Sequence, residues 1–431
     1  MKILNLCLVL FFSTSLFAAE LCSDKGVGRP YPRYPDGITR DAGWVEAYDY
    51  IYAKLCMNLK TPNRFFRGYR SHPAPKYMAA YLWDTAFISQ IWRQWDPKIA
   101  QELIKYLLRF QGSDGILHHA VLEILIKPYP YSHSQPPLVA WAAWRIFEKS
   151  QDVEFLKQVY PGLKRYHQWL NENRRHPDGL YFWIHPYESG IDNSPRFSNM
   201  SESWKDDTTQ LASVDMSSYM ATSMEALSKM ATVLNLPDEA KAFSAEFEQL
   251  KIMMNVKLWD EHDGTYYDFD YRKNASVKID SVSNFTPMVA GIAEPSQAAR
   301  LLQRAMNPLQ YNTLIPFPSV SKSDQYYSKD MWRGPVWINM AYLGVLGVDR
   351  YGYHKEAAML AKKIAGGVFE TQKKMGNIYE YYDPERYDQK ELTRKKGNIW
   401  KQIQLGSKPV KDFAGWSALS NTLVIEYGND W

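Results

Sequence analysis

Tyr181-Phe-Trp-Ile-His-Pro-Tyr-Glu-Ser-Gly-Ile-Asp-Asn-Ser-Pro-Arg196 packs aromatics, a histidine, two carboxylates and an arginine into one short run. Gly190 and Pro195 break any helix here, and no apolar–polar alternation survives past Trp183. The stretch therefore reads as a loop between helices, and a loop so rich in acids and rings points to ligand contact. Asp192, walled by aromatics, is suited to hold a proton near neutral pH and act as a general acid; the competing reading is a helix cap through Asn193-Ser-Pro. Trp183, Tyr187, Glu188 and Arg196 are candidate substrate contacts from the same loop, with a Glu188–Arg196 pair as the alternative for those two.

Outward from this loop the chain is helical nearly throughout. Ile99, Leu103, Leu107 and Phe110 recur at helix spacing, as do Leu163, Tyr166, Trp169 and Leu170. Met220, Met224, Leu227, Ala231 and Leu234 form another stripe, followed by Ala240, Phe243, Phe247, Leu250 and Met254. Each stripe reads as a core face. Asp96-Pro97 and Leu236-Pro237 mark helix starts, and only residues 179–184 and 265–270 suggest short strands. No solenoid repeat or linker is visible, so residues 41–431 read as one all-α domain of roughly a dozen helices. Periodicity alone fits either a closed double ring of helices or an open helical array.

Residues 1–19 combine Lys2, an apolar run and Ala18-Ala19, the layout of a cleavable signal peptide, and imply a secreted or periplasmic protein. The run is short of the ~20 residues that span a bilayer. Residues 20–40, with Pro30, Pro32 and Pro35, read as an extended arm. Cys22 and Cys56 remain after cleavage, an even pair that an oxidising compartment would allow to join. The net charge of +4, from 51 basic and 47 acidic residues, gives no field for nucleic acid. Nucleotide fingerprints and phosphate loops are missing from the sequence, and the histidines lack acidic neighbours at zinc spacing, so they read as loop or core residues.

Aromatics make up 15% of the chain and cluster beside carboxylates or amides in several loops. These include Tyr81-Leu-Trp-Asp84, Ser134-Gln-Pro-Pro137, Met331-Trp-Arg-Gly-Pro-Val-Trp337, Gly376-Asn-Ile-Tyr-Glu-Tyr-Tyr-Asp-Pro384 and Phe413-Ala-Gly-Trp-Ser417. Sugar recognition needs this mixture, since acids and amides grip hydroxyls while rings cover the C–H faces. Splitting a glycosidic bond takes two carboxyl groups. Glu380, among Tyr379, Tyr381 and Tyr382, is the best partner for Asp192, as a base; Asp84, beside Trp83, looks like a hydroxyl-binding acid.

The motifs Tyr187-Glu-Ser-Gly-Ile-Asp-Asn-Ser-Pro-Arg196, Trp332-Arg-Gly-Pro-Val-Trp337, Tyr379-Glu-Tyr-Tyr-Asp-Pro384 and Gly415-Trp-Ser417, in this order, resemble glycoside hydrolase family 63. The nearest branch is the bacterial one of mannosylglycerate and glucosylglycerate hydrolases, with trehalases more distant. The resemblance covers about residues 65 to 425. It implies an (α/α)6 barrel and inverting hydrolysis of an α-glucoside or α-mannoside without metal or nicotinamide. It also implies Asp192 as acid, Glu380 as base, and sugar contacts from Trp83, Asp84, Gln135, Trp332, Arg333 and Trp337. Gln135 alternatively only ends a helix. A departure from the family is the long basic insert before Phe413, with Lys390, Arg394, Lys395, Lys396, Lys401, Lys408 and Lys411. It reads as a solvated flap or as a lid over an anionic aglycone or longer glycan. A polysaccharide lyase on the same barrel and a non-catalytic glycan-binding protein are the rival readings.

Overall fold

The computed structural model describes residues 22–36, 38, 41–123, 127–129, 132–197, 207–394, 403 and 405–431. The expected signal peptide and Lys395, Lys396 and Lys401 of the insert lie outside the described residues. The described chain is mostly helical, in α1 (Ala42–Asn58), α2 (Leu82–Trp95), α3 (Pro97–Leu108), α4 (Val139–Ser150), α5 (Val153–Asn173), α6 (Val214–Val233) and α7 (Pro237–Lys257). There follow α8 (Thr286–Ala290), α9 (Pro295–Met306), α10 (Ile338–Arg350), α11 (His354–Met375), α12 (Ala414–Ser417) and α13 (Leu419–Tyr427).

Burial sorts the helices into two kinds. In α2 every residue but Gln94 is buried, including Asp84, Gln90 and Arg93. In α7 only Phe243, Leu250 and Met254 are, so it shows solvent a broad polar face. A helix covered on all sides belongs inside, and one with a single apolar stripe belongs outside. Contacts follow suit: α2 packs on α4, α4 on α6, α6 on α8, α8 on α10, α10 on α13, and α13 returns to α2. Around this closed cycle, α1 packs on α11, α3 on α2 and α4, α7 on α6, and α11 on α10 and α13.

The start signals hold where the sequence placed them. Asp96 caps α3 by accepting from Lys98 N at 3.0 Å, and Pro237 opens α7. Strands are short: residues 79–81, 120–122 and 127–129 pair antiparallel, with Ala80 opposite Val121. Residues 211–212, 268–270 and 275–277 form another such sheet. The 265–270 expectation corresponds to pieces at 265–266 and 268–270. The 179–184 expectation fails, because Tyr181 makes only an isolated bridge to Arg175 and the chain then turns away.

Among the described residues no helix is long and apolar enough to cross a membrane. The proline-rich arm is irregular from 27 to 35 and settles Tyr31 and Tyr34 against Tyr52 and Tyr48 of α1. Cys22 and Cys56 are joined, with Cα atoms 5.7 Å apart, which ties the arm to α1. Closing a loop with a separation of 34 residues removes about 4 kcal/mol of unfolded-state entropy on a chain-entropy estimate. A Cys22→Ser/Cys56→Ser chain is expected to unfold at clearly lower denaturant than the oxidised native chain, read by circular dichroism. Coincident curves would show that the bond contributes nothing.

Candidate active site

The segments that enter the ring helices carry the site. Tyr81 and Trp83 lie at the start of α2, Gln135 just before α4, Trp337 just before α10, and Phe413 and Trp416 just before α13. With Tyr77, Asp84, His119, His133, Tyr187, Gly190, Asp192, Met331, Trp332, Glu380 and Arg394 they line one cavity of about 380 Å³. Both expected carboxyl groups, Asp192 and Glu380, are therefore on its wall.

Asp192 is held by its neighbours in sequence. Asn193 Nδ2 donates to Asp330 at 3.0 Å, and its Oδ1 accepts from Trp332 N at 2.9 Å. Two residues back, Gly190 has φ +72°, and a Cβ there would sit 2.7 Å from the Trp83 ring. Only glycine lets the loop lie this close against the tryptophan. The Asp192 loop thus rests on the Trp83 wall and is pinned to the Trp332 segment. Met331, in that segment, has φ +46°, an uncommon conformation for a side-chain-bearing residue, and Trp337 Nε1 fastens it by donating to its carbonyl at 2.9 Å.

Glu380 sits on an extended piece between Val336 and Val410, where Glu380 N donates to Val410 O at 2.9 Å. The residue is 4% exposed. Tyr77 Oη donates to Oε1 at 2.7 Å and Val410 N to Oε2 at 3.3 Å, while Arg394 forms an ion pair with Oε2. The basic insert therefore reaches the cavity through Arg394, and Leu405 joins it on the wall. Lys408 is turned to the insert's own backbone, donating to the carbonyls of Lys390 and Leu392.

Rings form the remaining walls. Trp332 and Trp337 stack face to face at 3.7 Å, and Trp416 meets Trp83 edge-on at 5.5 Å. Asp84 lies among them, and burial pushes its carboxyl up to about 8. Gln135 serves twice: it lines the cavity, and its Oε1 accepts from Trp83 N at 3.2 Å at the open start of α2. Its amide N–H donates to His119 Nε2 at 3.1 Å, which makes that ring nitrogen an acceptor. Burial lowers the His133 pKa, so it favours the neutral ring.

Several expected contacts belong elsewhere. Glu188 is 1% exposed and does not line the cavity: Arg174 grips both its oxygens, and Ser134 N and Ile184 N donate to them as well. Arg196 does not pair with Glu188; its guanidinium bonds Asp215 at 2.6 Å and Asp268 at 3.0 Å. Trp183 turns its Nε1 to Asp215 at 3.0 Å, and Arg333 donates to Asn193 O at 3.3 Å. These four brace the loops that carry the site. His119 and His133, expected as loop or core residues, do face the cavity, as do Tyr81 and Trp416 of the quoted aromatic motifs, Arg394 of the basic insert and Tyr77, which no motif contains. Trp416 was legible within Gly415-Trp-Ser417. Tyr77 carried no such local signal.

Residues 77–395 match the family described as the mannosylglycerate hydrolase MGH1-like glycoside hydrolase domain. A mannosylglycerate hydrolase from Rubrobacter radiotolerans is 24% identical over 398 residues, 74% of this chain and 88% of that relative. One from Thermus thermophilus is 25% identical over 382 residues, 72% and 89% of the two chains. The crystal structure of a GH63 mannosylglycerate hydrolase, also from Thermus thermophilus and in complex with Tris, has the same fold. Its TM-score is 0.72 at 22% identity, covering 88% of this chain and 99% of that one. With a family match spanning residues 77–395, most of its length, the chain belongs to the mannosylglycerate hydrolase MGH1-like glycoside hydrolases.

Proposed function

We propose that the chain is an inverting α-glycoside hydrolase built as an (α/α)6 barrel, with Asp192 as general acid and Glu380 as general base. The observation that carries this reading is the meeting of these two residues, far apart in sequence, on one aromatic-walled cavity. Its volume is at the small end of ligand sites, suited to one or two sugar units and not to a long polymer. The relatives' names point to a glycosylglycerate, mannosylglycerate first, as the substrate class. The reading also takes residues 41–431 as a single catalytic domain and residues 1–19 as a signal for secretion or the periplasm.

In this mechanism Asp192 gives its proton to the glycosidic oxygen as the C–O bond breaks. Glu380 takes a proton from the water that attacks the opposite face of the anomeric carbon, so an α-glycoside yields a β-sugar. Trp332, Trp337 and Trp83 offer flat surfaces to the ring, and Trp416 Nε1 is a buried donor without an acceptor among the described residues. Asp84, protonated at neutral pH, adds a donor for a sugar hydroxyl. The lyase alternative would use a tyrosine, histidine or arginine; Tyr77 fits that role poorly, since burial raises its pKa and its hydroxyl donates to Glu380.

Asp192→Asn and Glu380→Gln are each expected to lower kcat on mannosylglycerate about 100- to 10,000-fold with unchanged circular dichroism. With an α-glycosyl fluoride, whose leaving group needs little protonation, Asp192→Asn should recover much of its rate and Glu380→Gln should not. Proton NMR of the first product should show the β-anomer; α-sugar released first would overturn inversion.

Asp84 gives a stability test. Its folded-state pKa of about 8 lies above the ~3.9 of an unfolded aspartate, so the folded chain keeps a proton that the unfolded chain loses. Stability from this group is full below about pH 4 and is lost as pH rises toward 8. Asp84→Asn cannot ionise, so its melting temperature should gain on the native chain's as pH rises through that window. Parallel curves would mean that Asp84 is already charged.

A further inference from the structure

We propose that Arg394, carried to the cavity by the basic insert, is the positioning residue that holds Glu380 ionised and aimed at the attacking water. The inference rests on the reading of Glu380 as the base. It assigns a task within the site to a segment the sequence left as either a flap or a lid.

Three observations carry it. Arg394 is 5% exposed, and its guanidinium forms an ion pair with Glu380. Its guanidinium also lies over the face of Tyr381, 5.6 Å from the ring centroid, and among the described residues its Nε finds no acceptor. A buried arginine with one carboxylate as its charged partner acts as that carboxylate's counter-ion, because neither charge is well solvated alone. Its mount is also fixed. Arg394 N donates to Ser407 O at 2.9 Å, and Thr393 O accepts from Tyr381 Oη at 2.8 Å. Thr393 Oγ1 donates to Asp330 at 2.6 Å, and Asp330 accepts from Asn193 beside Asp192. One aspartate thus ties the insert to the loop of the proposed acid, so the cation stands at a set place relative to both carboxyl groups.

The arrangement also separates the two acids chemically. An opposite charge in contact favours the ionised form of a carboxyl, and so do donated hydrogen bonds. Glu380 receives both, from Arg394, Tyr77 and Val410 N. The other ionisable groups described on the same cavity are Asp192, Asp84, Tyr81, Tyr187, His119 and His133. Among the described residues a second cation on its wall would come from a protonated histidine, and burial disfavours that form of His133.

The test is the pH dependence of kcat/KM on mannosylglycerate for the full chain. Arg394→Gln is expected to move the low-pH limb upward by about 1 to 3 pH units and to lower kcat more than it raises KM. Arg394→Lys should restore most of the limb's position while recovering only part of kcat, because the charge returns without the planar fork. Repeating the titration in a His133→Gln background shows whether the limb belongs to that ring, and a shift that persists there assigns it to Glu380. If Arg394→Gln does not fold, Thr393→Val decides, since it loosens the mount without touching Glu380 and should move the limb the same way by less. An unmoved limb in the folded variant, with Glu380→Gln inactive, overturns the positioning role and leaves the base assignment standing. Full activity in Glu380→Gln removes the base assignment itself.

Discussion

A loop that is neither helix nor strand has to cross the cavity wall with Asp192 held in place, and buried charge does the holding. At one end Arg196 bridges Asp215, on the first turn of α6, and Asp268, on a strand. Midway along the loop Arg174 grips Glu188. Removing one partner from such pairs leaves an uncompensated buried charge, at about 3–5 kcal/mol, so they fix the path of the loop more firmly than surface contacts do. Asp215 is further bonded by Trp183 Nε1 at 3.0 Å and Met216 N at 2.9 Å. Burial, with Asp215 nearby, pushes Asp268 up to about 6 against the pull of Arg196.

The same rule operates within the ring of helices. Arg93 of α2, Arg145 of α4 and Tyr342 of α10 converge on Glu426 of α13. Burial works against the Glu426 charge, yet Arg145 and Arg93 hold its carboxyl below the ordinary range. Four ring helices are cross-linked through one carboxylate. An apolar interior would close the ring equally well by burial alone; the polar hub adds register, since only one rotation of each helix brings its charged residue to the centre.

What the sequence revealed and what it hid follow from the range of each interaction. Helix stripes repeat every three or four residues, so Leu163, Tyr166 and Leu170 or Met220, Met224 and Leu227 announce their faces locally, and all are buried. The strands near the cavity are two or three residues long, too short for a period to show. The motifs of the 181–196 loop marked the right loop but not which side chains face inward. Glu188 and Arg196 look like sugar contacts, or like partners of each other, because they are neighbours in sequence. Their real partners, Arg174, Asp215 and Asp268, come from other segments. Tyr77 stayed hidden for the same reason, and the basic insert was visible without showing that Arg394 is its residue at the cavity: each matters through its bond to Glu380, a partner far away in the sequence or, for Arg394, one that its run of charge does not name.

Two carboxyl groups in one cavity are interchangeable until their surroundings make them differ. Here the difference does not come from the aromatic walls, which both share. It comes from which segment each acid meets. Glu380 is placed by an extended piece between Val336 and Val410 that also brings it to Tyr77 and the insert's arginine, while Asp192 is placed by a loop whose own arginine is spent on Asp215 and Asp268. Arg196, nearest in sequence to Asp192, would disfavour a protonated carboxyl if it faced the cavity. Its capture by two buried aspartates keeps that cation away from the proposed acid, just as the insert delivers another to the proposed base. The ion pairs that hold the loops and the proposed division of labour between the two acids are therefore one arrangement, written in where the arginines go.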